Sequence, residues 1–225
     1  MKRILAAIIA AALLLSGCTS ASRPAESAPP TGTPSPSPTP VVTPTPEPEP
    51  ADGELVLVRD YIPGIFIDLK YATTDNFTGR VIYDSDEAYL RYGTVKKLLC
   101  AQNELSGRGL SLKIWDAYRP VSAQFKLWEI CPNPVYVSDP NNGYSKHSRA
   151  NTVDITLVTD TGKSIPMPSG FDDFTSLADR DYSDVSDEAA ENARLLENVM
   201  VENGFVPYSG EWWHYSDSVA YDVYG

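Results

Sequence analysis

The chain has 225 residues, of which 30 are acidic and 18 are basic, and its formal net charge is −12. A chain this acidic, with no basic stripe and no base-stacking motif, is not expected to bind nucleic acid. Cys100 and Cys131, the two cysteines beyond residue 18, belong to no metal-binding cysteine pattern. The sequence leaves open whether they form a disulfide or remain free thiols.

Residues 1–17 are predicted to be a lipoprotein signal peptide. Lys2 and Arg3 precede an apolar run over residues 4–15, and Leu15-Ser16-Gly17-Cys18 closes it. The run is too short for a comfortable membrane span. Its ending resembles a bacterial lipobox, so Cys18 is the predicted lipidation site, and an ordinary signal peptide is the alternative. The expected location is outside the bacterial cell membrane, anchored by lipid and facing the cell wall or periplasm.

Residues 18–51 are predicted to be a disordered linker. Eleven of the nineteen prolines fall between Pro24 and Pro50, mixed with Thr, Ser and Glu. Such a segment cannot bury enough apolar surface to offset the entropy of ordering. It is therefore interpreted as an extended stalk, with a proline-rich ligand for a partner domain as the alternative. The folded part is then one domain over residues 52–225.

Strands and helices are expected in mixed order along the folded part. The predicted strands cover residues 54–59, 65–69, 110–115, 153–158, 205–206 and 212–215. The predicted helices cover residues 86–105, 121–130 and 187–203, the last capped by Ser186 or Asp187. Because these elements do not alternate regularly, we predict an α+β domain with a mainly antiparallel central sheet flanked by helices.

Both histidines of the chain lie in motifs that also contain a carboxylate. His147 lies in S-K-H-S-R-A-N-T-V-D, which ends at Asp154, and His214 closes E-W-W-H, which begins at Glu211. Two imidazoles and one carboxylate are a ligand set for a catalytic zinc with an open fourth position. We therefore predict one Zn²⁺ per chain, bound by His147, Asp154 and His214, with Glu211 as general base and acid. Taken singly, the motifs have structural alternatives: a surface histidine beside a turn-capping aspartate, and a tryptophan-rich strand.

Arg119 is the next candidate. It lies in W-D-A-Y-R-P, directly after a predicted strand and before Pro120, which restricts the turn. An arginine held there and aimed inward would stabilise the oxyanion that develops on a substrate carbonyl. The alternative is a structural arginine paired with Asp116.

Three motifs together resemble the VanX-type D-alanyl-D-alanine dipeptidases, a family of zinc D,D-peptidases. They are S-x-H-x6-D (Ser145 to Asp154), E-W-W-H (Glu211 to His214) and D-A-Y-R-P (Asp116 to Pro120), and the likeness continues over residues 55–217. The resemblance implies that residues 52–225 form a zinc peptidase domain that hydrolyses D-alanyl-D-alanine or a similar D,D-dipeptide. The alternatives are a D,D- or L,D-carboxypeptidase acting on peptidoglycan stem peptides, and a catalytically weak zinc-binding cell-wall lipoprotein.

The resemblance also implies substrate-binding residues. Tyr71 and Asp172 match positions that hold the free ammonium group of the substrate, with Asp173 as the adjacent alternative to Asp172. Ser145 matches a position near the substrate carboxylate.

Two residues depart from the family pattern, whose zinc loop usually reads S-x-H-x-x-G-x-A-x-D. Ala150 replaces the glycine and Thr152 replaces the alanine. If the glycine position requires a positive φ, an alanine there costs about 1 kcal/mol. The departures therefore bear on catalytic rate and substrate geometry, whereas the zinc ligands are intact.

Overall fold

The computed structural model describes residues 48–225, so the predicted signal peptide, the lipidation site Cys18 and most of the linker lie outside the described residues. Within residues 48–225, no helix combines the length and the apolar character needed to cross a bilayer.

The described part of the chain contains strands and helices in mixed order. The strands are β1 (Leu55–Leu57), β2 (Phe66–Ile67), β3 (Tyr89–Arg91), β4 (Leu110–Asp116), β5 (Thr152–Thr159), β6 (Phe205–Tyr208) and β7 (Glu211–Asp217). The helices are α1 (Val58–Tyr61), α2 (Tyr92–Ser106), α3 (Val121–Ile130) and α4 (Asp187–Glu202). Single 3₁₀ turns lie at Lys70–Ala72, Lys146–Arg149 and Ser176–Ala178.

Five strands form the central sheet in the order β2-β4-β5-β7-β6. Only β2 and β4 pair in parallel, and every other pair in this sheet is antiparallel. Helices α2 and α4 pack against each other, α2 against β4 and α4 against β6, and the sheet's middle strand β5 is buried almost throughout. The predicted α+β domain with a mainly antiparallel sheet is thus confirmed.

Most predicted elements are present, and the largest difference lies at the start of α2. The helix predicted over residues 86–105 begins only at Tyr92, because Tyr89–Arg91 instead pairs with β1 as a separate two-stranded sheet. Helix α4 begins as predicted after Ser186, whose hydroxyl accepts a hydrogen bond from the Ala189 N–H at 3.2 Å. Cys100 and Cys131 are free thiols.

The register of the central sheet aligns three polar groups. Asp116 on β4 stands opposite Asp154 on β5, which in turn stands opposite His214 on β7. A β-bulge between Ile114 and Asp116 produces the first pairing. In a regular strand, Trp115 and not Asp116 would stand opposite Asp154. Directly opposed residues share a face of a sheet, so the three side chains form a row across it.

Candidate metal centre and active-site pocket

The three predicted metal ligands converge on one point. His147 Nε2 lies 3.2 Å from Asp154 Oδ2, and His214 Nδ1 lies 2.9 Å from Asp154 Oδ1. The two imidazole nitrogens are 3.4 Å apart. A tetrahedral zinc with ligands at about 2.1 Å separates two ligand atoms by about 3.4 Å. The two imidazole nitrogens and the Asp154 carboxylate therefore have the spacing and the ligand chemistry of a zinc site.

Neighbouring groups prepare two of these ligands. His147 Nδ1 lies 2.8 Å from the Ala117 carbonyl oxygen, and a hydrogen bond donated there leaves the Nε2 lone pair facing Asp154. Burial alone would raise the pKa of Asp154, but His147 and His214 outweigh it and hold that pKa well below its usual value. Asp154 is therefore an ionised oxygen ligand over the whole physiological range.

Glu211 lies beside the metal centre without belonging to the triangle of ligand atoms. It opens β7 opposite Tyr208, and its Oε2 is 3.4 Å from His214 Nδ1. Burial, and then the negative charge of Asp154, raises the pKa of Glu211 above its usual value. The predicted base is thus a partly buried carboxylate beside one of the predicted metal ligands.

Arg119 forms the ion pair with Asp116 that was considered from the sequence. It donates to Asp116 Oδ2 from Nη2 at 2.6 Å and from Nε at 3.2 Å, and to Gln124 Oε1 from Nη1 at 3.0 Å. Asp116 is fully buried and also accepts from the Tyr83 hydroxyl. Arg119 nevertheless lines the pocket, and its ion pair with Asp116 restrains the guanidinium there.

Tyr71 and Asp172 meet in the same pocket, where the Arg119 guanidinium lies over the Tyr71 ring with Cζ 5.0 Å from the ring centroid. The Tyr71 hydroxyl donates to Asp172 Oδ2 at 2.8 Å, and burial raises the pKa of Asp172 to about 7. Asp172 reaches this position with a left-handed backbone, φ +53°. The alternative residue, Asp173, accepts instead from the Thr175 N–H at 2.8 Å within an exposed turn. The structure therefore places Asp172 in the pocket.

The loop that contains His147 has a left-handed residue at position 150, where the family pattern has glycine. Ala150 is fully buried with φ 58° and ψ 28°, in the left-handed region that costs a residue with a Cβ about 1–2 kcal/mol. Bonds from outside the loop fix it: the Arg91 N–H donates to the Ala150 carbonyl at 2.8 Å, and the Tyr224 N–H to the Ser148 carbonyl at 2.9 Å. Thr152 is accommodated, since its hydroxyl bonds to Ser216 Oγ at 3.1 Å.

All eight predicted site residues line a single cavity of about 290 Å³. They are Tyr71, Arg119, Ser145, His147, Asp154, Asp172, Glu211 and His214. Ser145 also accepts from the His147 N–H at 3.3 Å, which caps the 3₁₀ turn there. The predicted metal ligands, the predicted base, Arg119, Ser145 and the Tyr71–Asp172 pair therefore line the same cavity.

Sequence reasoning missed several residues around this cavity. Residues 134–138, Lys146, Tyr208 and Trp213 line it, and Gln124 supports Arg119. Lys146 and Trp213 lie inside recognised motifs, so their position next to predicted site residues could have identified them. Gln124 and residues 134–138 carry no local signal.

The chain matches a family model and curated relatives. The model described as peptidase M15, D-Ala-D-Ala dipeptidase, matches residues 51–222. A D-alanyl-D-alanine dipeptidase of Escherichia coli (strain K12) is 39% identical over 162 residues, covering 72% of this chain and 83% of the relative. A D-alanyl-D-alanine dipeptidase of Enterococcus faecium is 35% identical over 176 residues, covering 69% and 87%. A crystal structure of the D,D-pentapeptidase VanY with Zn(II) covers 60% of this chain and 76% of its own at TM-score 0.40 and 17% identity, too distant to bear on the site.

These matches agree with the motifs from which the resemblance was inferred. They confirm the predicted enzyme class, a metallopeptidase, and the ligand triangle fits its predicted zinc cofactor. The roles of individual residues stay predictions. The family model matches most of the chain, and the chain covers most of the length of these relatives. The chain therefore belongs to the peptidase M15 family of D-Ala-D-Ala dipeptidases.

Proposed function

We propose that this protein hydrolyses D-alanyl-D-alanine, or a closely similar D,D-dipeptide, in a zinc-dependent reaction. The observation that carries the proposal is one small cavity lined by both the metal-ligand triangle and the Tyr71–Asp172 pair. The relatives that bear the dipeptidase name support the substrate class.

The residues around the metal centre divide the work of hydrolysis. A zinc ion bound by His147, Asp154 and His214 would lower the pKa of a water molecule and polarise the scissile carbonyl. Glu211 accepts a proton from the attacking water and later donates it to the departing amine nitrogen. Arg119 offers N–H groups to the carbonyl oxygen as negative charge develops there.

The Tyr71–Asp172 pair selects a free dipeptide. Asp172 is ionised above about pH 7, the value to which burial raises its pKa, and can then bind a substrate ammonium. A stem peptide has an amide in place of this ammonium and would leave the buried carboxylate without a charged partner. The cavity, at about 290 Å³, is at the small end of ligand sites. Both properties favour the dipeptidase over the carboxypeptidase.

Hydrolysis assays test this proposal directly. The purified protein is incubated with D-alanyl-D-alanine and with a stem pentapeptide, each with and without a chelator, and released alanine is quantified. Chelator-sensitive turnover of the dipeptide alone is expected. Turnover of the pentapeptide would favour the carboxypeptidase, and zinc binding without turnover of either would favour the catalytically weak zinc-binding lipoprotein.

We also propose that residues 52–225, the peptidase domain, are displayed at the outer side of a bacterial membrane. Residues 1–17 would be removed, Cys18 lipidated, and residues 18–51 would serve as the stalk, all of which rests on the lipobox pattern and the proline content. The protein should incorporate a labelled fatty acid, and the Cys18→Ala variant should not. A Cys18→Ala variant that still carries the label would contradict the lipid anchor.

A further inference from the structure

We propose that Arg180 is a positioning residue that sets the geometry between the base Glu211 and the metal ligand His214. Arg180 lies in the irregular segment between β5 and α4, outside every motif singled out in the sequence. The inference rests on the proposed function, because it assigns the geometry of the same site to a residue that does not touch substrate or metal.

The E-W-W-H segment departs from a regular strand. Along the β6–β7 hairpin, Pro207 pairs with Tyr215, but the next residue, Tyr208, pairs with Glu211. Residues 212–214 are therefore extra on β7 and form a bulge. The bulge brings Glu211 Oε2 to 3.4 Å from His214 Nδ1, although in an extended strand side chains three apart lie on opposite faces.

One guanidinium holds both ends of this bulge. Arg180 Nη2 donates to the Glu211 carbonyl at 3.1 Å and to the His214 carbonyl at 3.2 Å. Arg180 Nε donates to the Tyr208 carbonyl at 2.7 Å, on the facing strand. Three backbone carbonyls at the two ends of the bulge and on the facing strand thus share a single planar donor group, whose shape restrains their separation.

The far side of the same guanidinium is anchored in the core. Arg180 Nη1 donates to Glu197 Oε2 on α4 at 3.0 Å and to the Tyr215 hydroxyl at 3.1 Å. Arg180 exposes only 11% of its side chain, and Glu197 compensates its charge. Because the guanidinium is hydrogen-bonded on both sides, it cannot rotate freely. Arg180 therefore links α4 to the backbone of the bulge through hydrogen bonds on both sides of its guanidinium.

Arg180→Lys is the decisive substitution. It keeps a positive charge near Glu197 and loses the fork that reaches the Glu211 and His214 carbonyls together. We expect zinc affinity, measured by competition with a chelator, to fall by about tenfold. The kcat on D-alanyl-D-alanine at saturating zinc should fall by about tenfold to a hundredfold, with KM within about threefold because Tyr71 and Asp172 are untouched.

Glu197→Gln is the matched control, because it removes the partly exposed ion pair and leaves the three carbonyl bonds. It should lower the unfolding temperature while kcat and zinc affinity stay within about threefold of the unmodified protein. Arg180→Ala adds a readout that simple destabilisation would not produce: ethylguanidinium, but not ethylammonium, should restore part of its kcat.

The outcomes separate this inference from the proposed function. If the unmodified protein neither binds zinc nor cleaves the dipeptide, the proposed function fails. If it does both, a folded Arg180→Lys variant with unchanged zinc affinity and kcat overturns the role of Arg180. Equal losses in kcat from Glu197→Gln and Arg180→Lys, or no rescue of Arg180→Ala by ethylguanidinium, would also overturn it.

Discussion

The two ends of the active-site cavity are built from different kinds of backbone. At the metal end, Asp154 and His214 are direct partners on neighbouring strands, so hydrogen bonds of the sheet set their separation. At the ammonium end, Tyr71 lies in a 3₁₀ turn and Asp172 in an irregular segment, where Phe171 packs on Tyr71 with ring centroids 5.5 Å apart. The separation of the predicted metal ligands therefore depends on the register of the sheet, and the geometry of the predicted ammonium site depends on loop packing.

The largest expected effect is at the metal end. His214→Ala removes one of three ligands, and zinc bound through the remaining two should dissociate readily. We expect zinc content to fall below half an ion per chain and kcat/KM to fall by about 10³-fold or more. Elemental analysis after gel filtration and the dipeptide assay measure both. A fully zinc-loaded, active His214→Ala variant would place the metal elsewhere.

Glu211→Ala separates proton transfer from metal binding at the same end. The variant should keep one zinc per chain, while kcat falls by about 10²-fold to 10⁴-fold because the water loses its base. Zinc content and kcat are measured on the same preparation. If zinc is lost together with activity, Glu211 is a ligand and the division of roles within the site is wrong.

Asp172→Asn tests the recognition end. It removes the charge that would bind the substrate ammonium and leaves the metal end intact. KM for D-alanyl-D-alanine should rise by about tenfold to a hundredfold, with a smaller change in kcat. Asp173→Asn is the control, because Asp173 only accepts hydrogen bonds within its own turn. Equal effects of the two substitutions would mean that the wrong aspartate has been assigned.

Much of the metal end could be predicted from the sequence. The chain contains only two histidines, each within a few residues of a carboxylate, so few ligand sets had to be considered. Strands β4 and β5 and helices α3 and α4 also follow from apolar periodicity.

The features that could not be predicted depend on contacts between distant parts of the chain. The bulge at Trp115 and the bulge in E-W-W-H are defined by partner strands, and neither leaves a local pattern. Tyr83 and Arg180 act through residues more than 30 positions away, at Asp116 and His214. The choice of Asp172 over Asp173 rests on one left-handed residue in an irregular segment.

The pH dependence of KM sharpens the comparison. Because burial raises the pKa of Asp172 to about 7, this carboxylate is ionised above that pH and becomes neutral as the pH falls through it. KM for the dipeptide should therefore rise by up to about tenfold between pH 8 and pH 6. Asp172→Asn should flatten this profile. A profile that is unchanged in Asp172→Asn would assign the titration to another group.

The smallest expected effect is that of Ala150→Gly. Glycine adopts the left-handed conformation of residue 150 without a Cβ clash, so strain in the loop beside His147 should be relieved. We expect the unfolding temperature to rise by about 2–4 °C and kcat to increase modestly. Thermal unfolding and the dipeptide assay measure both. If neither quantity changes, the surrounding hydrogen bonds already offset the strain of the alanine.

The extra residue in β4, Trp115, has a packing role of its own. Its ring lies against Phe171 and Trp212, with ring centroids 5.8 and 5.6 Å apart, so deleting Trp115 would remove both contacts while Asp116 would still stand opposite Asp154. Changes of length in this strand should be far more damaging than in residues 141–144, which are exposed and lie in a turn and irregular structure. Anyone redesigning the substrate range of this enzyme should therefore keep β4 and its aromatic contacts unaltered.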